Sequence, residues 1–385
     1  MDKHVISEMM SYTDSETGAR VTRLTGQRCN SNHLYFTNNC FYANNRKIVF
    51  VSDRNNAQNL FSLDLQSGEI VQLTDLARLP YGQDYPLLHS FVDGLHNLCC
   101  YNTNDSLYAL DLNTGVNRKI YTYPKGFCSH IISISCDGQY AYTSIYQAET
   151  RPAASAHDQG KALQGIADSK PLSRIIRIPT TGGDCEILLE DHNFNAHVNA
   201  SPADPDYITF CHEGGWSEVD HRLWVMNVKT CEVWKLHECQ PGEAIGHEYW
   251  YADGKRIGYH GHLSDGSRQL GHVRLNNTED RAFSFPFNTG HIFSQDEHLI
   301  VGDGDREGQF IRIWTLEQNG YSQPRALCRH ASTFKNQSTH VHPRITPDGK
   351  AVLYTSDVSG YNQLYLVELP DDLNTLPLLS TLSRY

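Results

Sequence analysis

A β-rich unit recurs along this chain, and such a repeat limits the possible folds more than any single motif does. Residues 44–75 read NNRKIVFVSDRNNAQNLFSLDLQSGEIVQLTD: a turn, a β-rich run, a polar loop, a second run, a Ser-Gly turn and a third run. Further on, DSLYALDLNTGVNRKIYTY echoes NLFSLDLQSGEIVQLT, with alternating apolar positions and an Asn-Thr-Gly turn that suit antiparallel strands. HRLWVMNVKTCEVWKL, GHVRLNNTEDRAFSFP, FIRIWTLEQNGYSQPRAL and NQLYLVELP continue the scheme. Turns at Asn45, Asp93, Asp137, Asp204, Asp253, Asp296 and Asp348 mark seven units, spaced as four-stranded propeller blades are. The expected fold is all-β: a single seven-bladed β-propeller domain over residues 1–385.

Two departures from the repeat are informative. The longest gap, between Asp137 and Asp204, contains AETRPAASAHDQGKALQGIADSKPLS and reads as a loop insertion at about 148–173 on the third blade, with a short helix around Lys161 to Ala167. The seventh unit, from Pro347 to Leu369, supplies only three strands. TGARVTRLT, from Thr17 to Thr25, resembles the outer-strand phrase SGEIVQLT of the first blade. An N-terminal strand is therefore expected to complete the last blade and close the ring, pairing edges that would otherwise invite aggregation.

Charge and cysteine usage narrow the partners and the compartment. A formal charge of -12 disfavours a broad grip on nucleic acid or an anionic membrane, so an anionic ligand needs a local cationic site. The first residues lack the apolar core of a signal peptide, and no run of about 18 apolar residues could span a bilayer. Eleven cysteines, an odd number with no C-x-x-C pair, read as reduced thiols in the cytoplasm rather than a disulfide framework or a zinc thiolate site.

Histidine placement points to the chemistry. His130, His197, His247, His291 and His342 each stand five to seven residues before one of the turn aspartates, where an innermost strand should begin. Imidazoles in that phase would converge on one axial funnel as neutral ligands and as a base titrating near neutrality. In QSTHVHP, His340 and His342 lie two apart and on a strand would share a face, with Gln337 offering an oxygen from the preceding turn. His291 lies one blade earlier at the same phase. Three imidazoles and one oxygen suit Mn, Fe, Co, Ni or Zn rather than a calcium cage. His247, in GHEYWYADG, has the position of a general base that a nearby cation would keep neutral. Arg222, in EVDHRLWVMN, heads an expected second strand and could reach the same funnel. His260 and His262 form another H-x-H pair, read as following their strand into a loop and therefore as a decoy. His212 and Glu213, in FCHEGG, are candidates for ligand contact, whereas Glu218 and Asp220 read as a solvated loop. No G-x-S-x-G elbow and no phosphate-cradling glycine loop is present.

These segments resemble the oligogalacturonate lyases, the cytoplasmic seven-bladed propellers of polysaccharide lyase family 22. TGARVTRLT, FCHEGG with VDHRLWVMN, GHEYWYADG, GHIFSQDEHLIVGDGD and QSTHVHPRITPDG with YTSD carry the likeness over nearly the whole chain. The resemblance implies a manganese-like divalent metal on His291, Gln337, His340 and His342, with His247 as base and Arg222 as the catalytic arginine. It implies β-elimination on short oligogalacturonides, giving 4,5-unsaturated uronate ends. The chain departs from the pattern in carrying Gly215 and Trp216 after His-Glu-Gly, where the family tends to carry proline. Rival readings remain beside it: a non-catalytic propeller binding a glycan or a protein, a lyase acting on a different uronate oligosaccharide, and an enzyme of another class, such as a metal-assisted hydrolase or epimerase, working in the same funnel. The oligomeric state is not legible.

Overall fold

The computed structural model describes residues 4–5, 7–148, 159–285, 289–304 and 309–382, with the backbone alone at 4, 5, 159 and 160. The chain divides into two compact units, Met1–Asp84 with Phe287–Tyr385, and Tyr85–Pro286. Each is built from antiparallel meanders.

Among the described residues, the unit Tyr85–Pro286 holds four four-stranded sheets, each paired in simple chain order. The second blade of the chain runs Phe91–Asp93, Leu98–Asn102, Ser106–Asp111 and Asn117–Thr122. The third runs Phe127–Ile134, Tyr140–Gln147, Ser173–Pro179 and Glu186–Asp191. Asn195–Ala200, Tyr207–His212, Leu223–Asn227 and Glu232–Lys235 form the fourth. The fifth consists of Ala244–Trp250, Arg256–His262, Arg268–Arg274 and Arg281–Ser284. Of the expected insertion at 148–173, residues 149–158 lie outside the described residues, and a helix at Gln159–Asp168 covers the stretch expected to be helical.

The other unit holds three sheets. The first blade is built on Ser31–Asn32, Lys47–Ser52, Asn59–Asp64 and Ile70–Gln72, with His4–Val5 added outside and Phe41–Tyr42 pairing with Lys47–Ser52. Ile292–Ser294, Leu299–Gly302, Phe310–Glu317, Gly320–Tyr321 and Arg325–Arg329 make the sixth. The seventh continues from Arg344–Ile345, Ala351–Ser356 and Gln363–Glu368 into Arg20–Arg23 and Met10–Thr13. The N-terminal strand thus completes the last blade, with Val21 opposite Val367 and Thr22 opposite Leu366. The fold is all-β, a seven-bladed β-propeller.

The turn aspartates explain why the repeat folds as it does. Each carboxylate accepts a backbone N–H two residues on: Asp93 from Leu95 at 2.9 Å, Asp137 from Gln139 at 3.1 Å and Asp204 from Asp206 at 3.0 Å. Asp253, Asp296 and Asp348 do the same to Lys255, His298 and Lys350 at 2.8, 2.7 and 3.1 Å. These side-chain turns close the hairpin between the first two strands of their blades. Gly138 and Gly349 follow their aspartates with φ of 72° and 71°, a conformation that a Cβ would strain.

Packing between successive sheets supplies the core. In the unit Tyr85–Pro286, Leu107, Ile132, Ala141, Ile176 and Ile178 form one buried cluster, and Tyr142, Ile175, Val198, Phe210 and Met226 the next. β-branched residues dominate because they pack well on a pleated surface.

Candidate metal centre and catalytic side chains

Three histidines meet in the unit Met1–Asp84 with Phe287–Tyr385. His291, His340 and His342 each offer a ring nitrogen within 4.8 Å of the others. His291 and His342 are buried, and His340 is half-buried. Gln337 joins them, with its side-chain amide 3.4 Å from His342 Nε2. Amide oxygen and nitrogen are interchangeable by a half-turn, so Gln337 can present a carbonyl oxygen to the same centre. The four residues singled out from the sequence as ligands therefore lie together.

Their backbone differs from the expectation. His340 and His342 are not on a strand; they follow a 3-10 turn at Gln337–Thr339 and precede the short strand Arg344–Ile345. They face the same way because His342 has a left-handed backbone, φ 47°, while Val341 between them is fully buried. The turn is held firmly. Asn336 caps it by accepting from Thr339 N at 3.1 Å, and Asn32 and Asn362 donate to the Ser338 carbonyl at 2.6 and 3.0 Å. His33 bonds Thr355 Oγ1 at 2.7 Å and the His342 carbonyl at 2.8 Å. Burial drives the His33 pKa down to about 4, so this strut is a neutral ring.

The group fits a divalent metal. Asp303, fully buried, receives His291 Nδ1 at 2.9 Å and two backbone N–H groups at 2.8 and 3.0 Å, which turns the other nitrogen of His291 toward His340 and His342. Burial pushes the Asp303 carboxyl up, but His291 and these hydrogen bonds outweigh it and hold the group below the usual carboxylate range. Burial, reinforced by His291, takes the His340 pKa down to about 4, leaving a neutral imidazole. Its Nδ1 is buried with no hydrogen-bond partner. Three nitrogens and an amide oxygen with a carboxylate behind one ring form a transition-metal donor set, not a calcium cage.

The two candidate catalytic residues lie in the unit Tyr85–Pro286. His247 sits in a β-bulge of the inner strand Ala244–Trp250, where the register shifts between Gly246 and Tyr249 and its φ is 50°. His197 occupies the same place in the fourth blade, with a shift between Ala196 and Asn199 and a φ of 49°. At His197 and His247 the recurring histidine phase is thus a β-bulge that re-aims one side chain, whereas His291 and His342 lie just ahead of their strands. His247 Nδ1 lies 2.9 Å from His260 Nε2, and the two rings stack at 5.1 Å. This corrects the reading of His260 as a decoy: it is buried within the strand Arg256–His262, not beyond it.

Arg222 heads the third strand of its blade, Leu223–Asn227, rather than the second. It is almost fully buried, paired bidentately with Glu213 at 2.9 and 3.3 Å and through Nε with Glu248 at 3.3 Å. His197 Nε2 lies 2.9 Å from the second Glu213 oxygen. Burial works against the Arg222 charge, yet Cys211, Glu213 and Glu248 outweigh it, and the guanidinium holds its proton more tightly than an ordinary arginine. Glu213 is likewise held ionised well below the usual range, because Arg222 and His197 overcome the cost of burial. Glu213 serves as an anchor for Arg222; Asp220 lies exposed in its loop, as expected, and accepts from His212 at 2.6 Å.

Trp216 lies between the two candidates, with its ring 5.0 Å from His247 and the Arg222 guanidinium 6.0 Å from it. Gly246 makes this possible: a Cβ there would come within 2.3 Å of the indole. Gln164 of the helix Gln159–Asp168 accepts the Gly215 N–H at 2.6 Å and ties the insertion to the Trp216 turn. Among the residues missed in the sequence, Glu248 and Asp303 carry no local signal beyond being acidic groups in apolar strand contexts.

Comparison with known proteins gives the family. The family model for oligogalacturonate lyases matches residues 2–322. An oligogalacturonide lyase of Pectobacterium atrosepticum is 27% identical over 94% of this chain and 96% of its own length. An oligogalacturonate lyase of Dickeya dadantii is 28% identical, with the same coverage. A solved structure of an oligogalacturonate lyase in complex with manganese superposes with a TM-score of 0.86 at 26% identity, covering 96% of this chain and 98% of the other. With most of its length matched by that model, this chain belongs to the oligogalacturonate lyase family.

Proposed function

We propose that the protein is a metal-dependent lyase that cleaves short oligogalacturonides by β-elimination, leaving a 4,5-unsaturated uronate. The observation that carries this reading is the meeting of His291, His340 and His342 within 4.8 Å in a chain of this family. His291, His340, His342 and Gln337 would hold a divalent ion, manganese being the metal of the related solved structure. When bound, the ion would neutralise the uronate carboxylate and make the adjacent C5 proton more acidic.

The protein side chains do the rest. His247, with Nδ1 directed to His260, keeps Nε2 as the nitrogen that accepts the C5 proton when Nδ1 is the donor of that pair. The C5–H electron pair becomes the C4=C5 double bond as the C4–O bond breaks, and the departing oxygen takes a proton from solvent. Arg222 is poorly suited to supply that proton, because two carboxylates reinforce its charge. Its role is electrostatic, holding negative charge as it develops. Trp216 offers an apolar face to a sugar ring beside both residues.

The compartment proposed is the cytoplasm. All eleven cysteines are free thiols, as a reducing environment requires. No described helix is long and apolar enough to cross a membrane.

The test is an ultraviolet assay for the unsaturated product on di- and trigalacturonate. Product should form with Mn2+, vanish with a chelator, and fall by about 10²–10⁴-fold in His247→Ala. Hydrolysis products by mass, or equal rates with and without chelator, would refute elimination. Binding of a uronate that survives loss of all four ligands, without turnover, would favour a glycan-binding propeller.

A further inference from the structure

A second group of ligating side chains lies in the connection between the fourth and fifth blades, where HECQPGE links Glu232–Lys235 to Ala244–Trp250. Ligand atoms of His237, Cys239 and Glu243 all fall within 4.8 Å of one another. His237 is buried and has a left-handed φ of 50°, so the loop is bent to bring its ring inward. Its Nε2 faces Glu243 Oε1 at 3.0 Å. Its Nδ1 is 2.9 Å from both Asp280 oxygens and from the Tyr259 hydroxyl.

We propose that His237, Cys239 and Glu243 form a second divalent-metal site, of the zinc type, with Asp280 and Tyr259 fixing the imidazole from behind. Thiolate, imidazole and carboxylate together select Zn2+ or Co2+ over the harder Mn2+, Mg2+ and Ca2+. Tetrahedral bonds of ~2.0–2.3 Å place neighbouring ligand atoms ~3.3–3.8 Å apart, slightly more than the present 3.0 Å between His237 Nε2 and Glu243 Oε1 and inside the 4.8 Å limit of the cluster. The His237–Glu243 contact opens to admit the ion, and the protons on Nε2 and Sγ leave to solvent.

Two further features resemble a built site. The His237–Asp280 contact repeats the 2.9 Å His291–Asp303 contact behind the candidate lyase metal, the arrangement that sets a ligand's tautomer. Glu243 is also held from two sides: Gln240 N donates to one oxygen at 2.8 Å, and Gln269 donates to the other. Gln269 is itself buried, and its own carbonyl oxygen has no hydrogen-bond partner. That oxygen or a water can take the fourth position. Spacing alone hid the cluster, since H-x-C-x-x-x-E lacks the paired cysteines of common zinc motifs.

Cobalt titration of the metal-stripped full chain tests this independently of lyase activity. Co2+ should produce a thiolate-to-cobalt charge-transfer band in the near ultraviolet, saturating within two equivalents because the His291 group also takes Co2+, and bleached by Zn2+. The His291 group contains no sulfur and cannot give that band. Cys239→Ser should lose the band while keeping the wild-type circular dichroism, and Asp280→Asn should weaken Co2+ binding by about 10–100-fold. No thiolate band at saturating Co2+, or a band that persists in Cys239→Ser, overturns the proposal.

Discussion

His291 can serve as a ligand only through the nitrogen that does not face Asp303. Asp303 accepts Nδ1–H and two backbone N–H groups, so the ring has one tautomer and one orientation. Asp303→Asn keeps the shape but not the charge, and its amide can donate to Nδ1 as well as accept from it. Mn2+ affinity should fall by about 10–100-fold with little change in the circular dichroism spectrum, as isothermal titration would show. Unchanged affinity would mean that Asp303 only packs. The contrast between ligand and support also explains what the sequence could reveal. His340, His342 and Gln337 are legible because ligands on one short segment leave a spacing. Asp303 is not, since it reaches His291 only once the hairpin between Ile292–Ser294 and Leu299–Gly302 has formed. His260 was hidden for a related reason: only the bulge at Gly246 and Tyr249 turns His247 toward it.

Strands and hairpins were readable because their signal is local. An aspartate that bonds its own turn recurs at the same point of six blades, and alternation marks the strands between turns. The bulges left no such signal, because NAHVNA and AIGHEYW are buried almost throughout and do not alternate, so an extra residue breaks no pattern. Long-range staples were equally invisible. Glu8, just ahead of the strand Met10–Thr13, accepts Gly26 N at 2.7 Å and Gln27 N at 3.0 Å, and pairs with Arg54 Nη1 at 3.0 Å. Arg54 is itself buried, in the loop of the first blade. Burial raises the Glu8 pKa, but the two N–H groups and Arg54 outweigh it, so the folded value lies below the unfolded one. A depressed carboxylate stabilises the fold fully above its unfolded pKa, and that contribution disappears as pH falls through the folded value. Glu8→Gln should therefore cost about 2 kcal/mol at pH 7, and the difference from wild type should vanish in strongly acidic solution. Denaturant melts at pH 7 and at pH values below the carboxylate range would show it; a difference that grows on acidification would contradict the assignment.

The last blade tests how far the molecule depends on joining its two ends. Its outermost strands, Arg20–Arg23 and Met10–Thr13, come from the N-terminus, and its other three from the C-terminal end. TGARVTRLT announced this because it repeats the outer-strand phrase of the first blade, which is a global feature with a local signature. Removing residues 1–25 would take away Val21 and Leu24, both fully buried, together with the Leu24 N–H bond to the Leu364 carbonyl at 2.7 Å. Two such side chains are worth roughly 1.5–3 kcal/mol each, against a total stability of about 5–15 kcal/mol for a typical domain. The ladder of Gln363–Glu368 would also lose its partner and become an open edge of the kind that recruits other chains. The truncated protein should melt at markedly lower temperature and sediment as aggregates. A synthetic peptide of residues 7–25 added during refolding should restore unaggregated protein, because the missing strands bind by pairing rather than by connectivity. A truncated chain that sediments as the full chain does, with an unchanged melting curve, would show that the three C-terminal strands suffice as a blade.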